Sequence, residues 1–190
     1  MNLLVDAPPN ELEIDGRQYA VNSDFRSCLR IILAFEDNDL TSAEKQMIML
    51  NNLYPVIPNN VQAAFTKGGW FLNGGKASQD EDETAPRLYS FSRDADLIFA
   101  AFRQTHSIDI KTVDLHWWEF LALFMDLGAD TTFCNLINLR KRVKTGKATK
   151  EEKAAAAAIG NAFEVPDIDN LTLEEREAEA RFFEIIGVNK

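Results

Sequence analysis

Cysteine and histidine are scarce in this chain, two of each among 190 residues, and the scarcity removes whole classes of chemistry. Cys28 and Cys134 lie far apart in sequence, so no cysteine pair stands at zinc spacing. Two histidines are too few for a histidine-rich metal site. A phosphate-cradling loop is missing too, because Gly68-Gly69 and Gly74-Gly75 lack the lysine and following helix that such a loop uses. There is no nucleophile elbow. No stretch approaches the ~18 apolar residues of a membrane-spanning helix. Residues Met1 to Asp6 have neither the basic region nor the apolar run of a secretory signal. Positive charge is short as well: 20 Lys and Arg against 30 Asp and Glu leave a net charge of −10, which opposes general binding to nucleic-acid phosphates. These absences lead us to expect a cytoplasmic protein with reduced, buried thiols, no cofactor, no nucleic-acid partner and no membrane anchor.

Apolar residues are plentiful, 46% of the chain, and 190 residues can bury roughly 70% of the surface exposed when unfolded. The expected fold is mainly α, a single-domain irregular bundle of about seven or eight helices over 1–190. A small hairpin at 11–22 precedes them, since Glu11 to Val21 alternates about Asp15-Gly16, a dipeptide suited to a tight turn with positive φ. Ser23 or Asp24 starts a helix near 24–37 with Phe25, Cys28, Leu29 and Ile32 inward. Thr41-Ser-Ala-Glu44 is a capping box opening 42–53, with Met47, Leu50 and Leu53 inward. A helix after Pro58 uses Val61, Ala64 and Phe65 and ends near Gly68-Gly69 or Phe71. The acidic 73–86 stretch has no apolar period and reads as a mobile loop. Ser92 caps 93–106, Asp130 caps 131–145, Thr149-Lys-Glu-Glu152 opens a helix to about Phe163, and Thr172-Leu-Glu-Glu175 opens 173–186.

The most apolar stretch is Asp114 to Gly128. Asp114, or Thr112, is its expected cap and Gly128 its left-handed stop. At ~100° per residue only His116, Glu119 and Asp126 are strongly polar, within a stripe of roughly 80°, so such a helix belongs inside a bundle or beneath a partner. Trp117 and Trp118 differ by ~100° around the axis. Core is their first reading and a partner's groove the second, tryptophan being enriched at binding hot spots. His116 and Glu119, three apart, share a face. A dinuclear carboxylate site would need Glu-x-x-His motifs on two helices and two further glutamates, which this chain lacks. The triad therefore reads as a polar stripe rather than a metal or acid–base centre.

Two further surfaces are candidates for partner contact. Arg140, Arg142 and Lys144, with Lys141, Lys147 and Lys150, form the one basic patch, read first as a solvated helix end, next as a dock for an acidic partner or for the 80–83 loop, and last as a nucleic-acid contact. The last helix is charged early and apolar late; its Phe182, Phe183 and Ile186 suit either the core or a partner's groove.

Five stretches together resemble a family of siphophage proteins from phages and prophages of Gram-positive bacteria, catalogued after a gene-fifteen product and placed with the tail assembly chaperones. They are Ile14 to Arg26, Leu53-Tyr-Pro-Val-Ile-Pro58, Tyr89 to Phe102, Ile108-Asp-Ile110 and Leu115-His-Trp-Trp-Glu-Phe120, in order over about 11–153. The family pattern has Tyr-Arg where this chain reads Leu139-Arg140, and lysine where it reads Glu119. The resemblance implies a non-enzymatic protein of the host cytoplasm. Such a protein binds the tape-measure protein, helps deliver tail-tube subunits and leaves before the virion is finished. A structural component retained in the tail or connector is the alternative it leaves open.

Overall fold

The computed structural model describes residues 2–76 and 86–165. The expectations for 77–85 within the acidic loop, and for the 173–186 helix with Phe182, Phe183 and Ile186, lie outside the described residues. Among those residues, seven α-helices, one short 3-10 turn and a two-stranded hairpin give the mainly α fold expected. They form two compact units, residues 2–76 with 114–121, and 86–113 with 122–165.

In the first unit β1 (Glu11–Ile14) pairs antiparallel with β2 (Arg17–Ala20), Ile14 opposite Arg17. Asp15 and Gly16 take φ of 50° and 76°, the two left-handed residues of the turn that matches strand twist. Leu12 and Ile14 bury one face of β1 while Glu11 and Glu13 stay outside. Helix α1 (Phe25–Glu36) starts at Asp24, whose carboxylate accepts from the Arg26 amide at 2.9 Å. Helix α2 (Ser42–Leu53) starts at the Thr41–Glu44 box. There the Thr41 amide, then its hydroxyl, holds the Glu44 carboxyl below its usual range. Two core assignments shift by one or two positions. Ile31 rather than Ile32 is fully buried in α1, and in α2 Met49 takes the place expected of Met47, which is exposed.

Helix α3 (Val61–Leu72) begins at Asn60 and runs through Gly68-Gly69, where the sequence allowed a stop. Gly68 is an interface residue instead: a Cβ there would lie 2.5 Å from Met49 Cε and 2.8 Å from Leu53 Cδ2, so its absence lets α2 and α3 close together. The Tyr54 hydroxyl donates to the Ala64 carbonyl at 2.8 Å, and burial raises its ionisation above the usual phenol range.

The second unit holds α4 (Ala95–His106), α6 (Thr132–Lys144) and α7 (Lys150–Ile159); the intervening α5 (Trp117–Met125) starts in the first unit and ends in the second. An aromatic cluster fills it, with Phe124 at 5.1 Å from Phe91, 5.3 Å from Tyr89 and 5.7 Å from Phe133 between ring centroids. Several helix ends differ from expectation. The cap of α4 is Asp94, not Ser92, and that of α6 is Thr131, not Asp130. Thr131 Oγ1 accepts from the Cys134 amide, while the Asp130 carboxylate accepts from Gln104 Nε2 at 3.1 Å. Gly160, at φ 64°, stops α7 at Ile159, short of Phe163. Gly128 is not a left-handed stop, because α5 ends three residues earlier, where His106 Nε2 meets the Leu123 carbonyl at 2.9 Å. Gly128 donates its amide to Thr105 Oγ1 at 2.9 Å instead.

Candidate partner-binding site

The tryptophan-bearing helix starts at His116 rather than Asp114. His116 Nδ1 accepts from the Trp118 amide at 3.0 Å, and the His116 amide donates to Glu119 Oε2 at 3.0 Å. Glu119 supplies the returning half of a capping box, while the imidazole takes the amide of the second helical residue where a hydroxyl would take that of the third. Because Nδ1 accepts, the ring proton sits on Nε2 and donates to the Pro9 carbonyl at 3.1 Å. Asp114 is left exposed, 3.9 Å from Arg26 Nη1. The start is also tied to that of α1: the Trp117 amide donates to Ser23 O at 2.7 Å, and the Phe25 amide to Leu115 O at 3.1 Å. His116 and Glu119 are thus engaged in starting a helix, and Asp126 lies beyond its end. Among the described residues no group of three or more His, Cys, Asp or Glu is placed to hold a metal.

Both indoles face the end of α3. Trp118 Nε1 donates to Phe71 O and Trp117 Nε1 to Leu72 O, each at 2.8 Å. Last-turn carbonyls have no partner within their own helix, so each tryptophan supplies a missing donor together with its apolar ring. Trp117 stacks on Phe120 at 5.3 Å, and Phe120 on Phe25 at 5.1 Å. At 1% and 4% exposure, Trp117 and Trp118 take the core reading. Sequence reasoning missed Trp70, 39% exposed and edge-on to Trp118 at 5.5 Å. Its signal is weak, a tryptophan directly after Gly68-Gly69 near a helix end.

The basic patch divides into an interior and an exterior part. Arg140 belongs inside, with 0% of its surface exposed. Its five N–H groups meet five acceptors: Asp94 Oδ2 at 2.7 Å, Asp94 Oδ1 at 3.0 Å, and the carbonyls of Leu88 (3.1 Å), Ala162 and Phe163 (both 2.8 Å). The bidentate carboxylate and a full set of acceptors are the conditions under which a guanidinium tolerates burial. They also explain why Asp94 gives α4 no side-chain cap, its carboxylate being turned to Arg140 and the Ser90 amide. A signal was present: Arg140 lies two turns after Phe133, on the buried stripe of α6. Arg142 pairs with Glu152 Oε1 at 2.7 Å and donates to Lys147 O at 3.0 Å. The Thr149 amide, then Arg142, hold the Glu152 carboxyl below its usual range. Lys144 stands in solvent.

This hub shapes an open groove of about 550 Å³ between the start of α4, one face of α6 and the end of α7. Leu97, Leu136, Leu139, Ile159 and Ala162 make it mainly apolar, with Arg93 and Asp96 at its rim. Ile159 is 40% exposed there. A row of aliphatic side chains of this kind suits the apolar stripe of a helix. A smaller cleft of about 360 Å³ in the first unit, beside Pro8, Asp24, Asp114 and His116, mixes polar and apolar lining.

The family model described as "Bacteriophage Gp15 protein" matches residues 4–165. The chain belongs to the bacteriophage Gp15 family. No curated protein and no solved structure matches it. In this Gp15-family chain, the Leu115 to Phe120 stretch is the helix start that caps α3, and Tyr89 to Phe102 carries the Asp94 that holds Arg140. The family match stops at Val165, buried together with Phe163, and leaves 166–190 outside it.

Proposed function

We propose that this phage protein is a non-enzymatic tail assembly chaperone that acts in the host cytoplasm and binds the tape-measure protein, and secondarily tail-tube subunits, before the virion is complete. The observation that carries the reading is the apolar groove of α4, α6 and α7 on a protein of net charge −10, next to membership of a phage family. A long helical client exposes an apolar stripe that aggregates unless covered, and a groove lined by Leu136, Leu139 and Ile159 covers such a stripe without consuming it. The acidic surface keeps the complex dispersed. In this reading the exposed Lys144, at the end of α6, meets acidic residues of the client, while Arg142 is engaged with Glu152.

Co-expression with the tape-measure protein tests this directly. The client should become soluble and co-purify, and Leu136→Asp should abolish the complex while the circular dichroism of the chaperone is unchanged. A client that aggregates equally with and without this protein would reject the reading. Mass spectrometry of finished virions should find the chain absent or far below stoichiometric amounts.

A further inference from the structure

We propose that the groove of α4, α6 and α7 selects an amphipathic helix with a basic residue beside its apolar stripe, and that the Asp96 carboxylate is the group that recognises the base. As to what fills the groove in the infected cell, this rests on the chaperone reading and narrows it to one class of client segment. The shape of the groove comes from two facing stripes. On α6, Thr132, Asn135, Leu136 and Leu139 stand at i, i+3, i+4 and i+7, one helix face about 10 Å long at 1.5 Å per residue. Helix α4 runs antiparallel to α6, since Asp94 at its start meets Arg140 while Gln104 near its end meets Asp130. Its facing stripe is Arg93, Asp96 and Leu97, at i, i+3 and i+4. A trough between two such helices takes a third laid along it, whose own i, i+4 and i+7 side chains span the same ~10 Å. Charge at the rim then selects among apolar helices. Asp94 is neutralised by Arg140, and Arg93 Nη1 donates to the Asn161 carbonyl at 3.3 Å, fastening one wall of the groove. Asp96 is different: it is exposed and, among the described residues, makes no hydrogen bond or ion pair. A free carboxylate at the edge of an apolar trough attracts a Lys or Arg of the occupant and repels a Glu or Asp in that place.

Fluorescence anisotropy with two synthetic helical peptides tests this on the full chain. The peptides share a leucine stripe at i, i+4 and i+7 and differ only in the residues flanking it, lysine in one and glutamate in the other. At low salt the lysine peptide should bind about three- to tenfold more tightly, the product of one attraction gained and one repulsion avoided. Leu136→Asp should abolish binding of both. Because the whole chain is acidic, some preference for lysine would arise wherever a peptide landed, so the deciding arm is Asp96→Lys against Glu11→Lys, an equal change of charge on the exposed edge of β1. Asp96→Lys should remove or invert the preference, and Glu11→Lys should leave it. Equal effects of the two substitutions, binding that survives Leu136→Asp, or no binding of either peptide would each overturn the proposal. A dimer of the free protein that Leu136→Asp dissociates would overturn it in favour of a second copy. The tape-measure protein is absent from this assay, so its outcome and that of the co-expression test are separate results.

Discussion

Two buried junctions hold helix ends in this protein by opposite means. In the first unit the end of α3 is closed by the indoles of Trp117 and Trp118, neutral donors that carry much apolar surface. In the second, the start of α4 and the carbonyls after α7 are gathered by one cation, Arg140, against one anion, Asp94. An indole that loses its hydrogen bond still fills its space. A guanidinium that loses its carboxylate becomes an uncompensated charge in the interior. Losses at the first junction should therefore be graded, and losses at the second abrupt.

The most severe test is Asp94→Ala, for which we expect about 3–5 kcal/mol in a denaturant titration. Replacing the pair by Leu, in Asp94→Leu with Arg140→Leu, should not restore stability, because the Leu88, Ala162 and Phe163 carbonyls would lose their donors. Full recovery in the double variant would show that the hub is dispensable. Next, Trp118→Ala should cost at least ~3 kcal/mol through the cavity it leaves. Trp118→Phe, which keeps most of the volume but removes the bond to Phe71 O, should cost roughly 1–2 kcal/mol. Equal losses for these two variants would contradict a graded junction.

A smaller effect comes from Cys28. Burial, then the nearby Asp24 charge, pushes its thiol up to about 12 from 9.0. The folded state thus keeps this proton where the unfolded state releases it. Its contribution is whole below pH 9 and is lost as pH rises from 9 towards 12, at up to ~1.4 kcal/mol per pH unit. Iodoacetamide at pH 8 should therefore modify the half-buried Cys134 and spare Cys28 until denaturant is added. The smallest change is Arg142→Ala. Its pair with Glu152 is largely solvated, so the unfolding midpoint should barely move, in contrast to its neighbour two residues back.

Elements marked by local chemistry were legible in the sequence. The Asp15-Gly16 hairpin and the Thr41 and Thr149 capping boxes fall where the residues predict, because each is built within four residues of itself. The mainly α fold and the buried tryptophans followed from apolar periodicity. The site was harder to read. Arg140, Arg142 and Lys144 look alike as a run of cations, yet one is interior, one clasps Glu152 and one is solvated. Asp114 and Ser92 are as good caps on paper as His116 and Asp94.

Sequence alone determined the kinds of element, their approximate limits, the acidic charge and the lack of common catalytic motifs, since these depend on neighbours along the chain. Only the tertiary structure decided which polar groups go inside. Burial is set by whether partners from other segments satisfy every donor, as five acceptors from three stretches do for Arg140. It likewise decided that the tryptophans would end one helix while starting another, because the carbonyls they reach lie some 45 residues away in the chain.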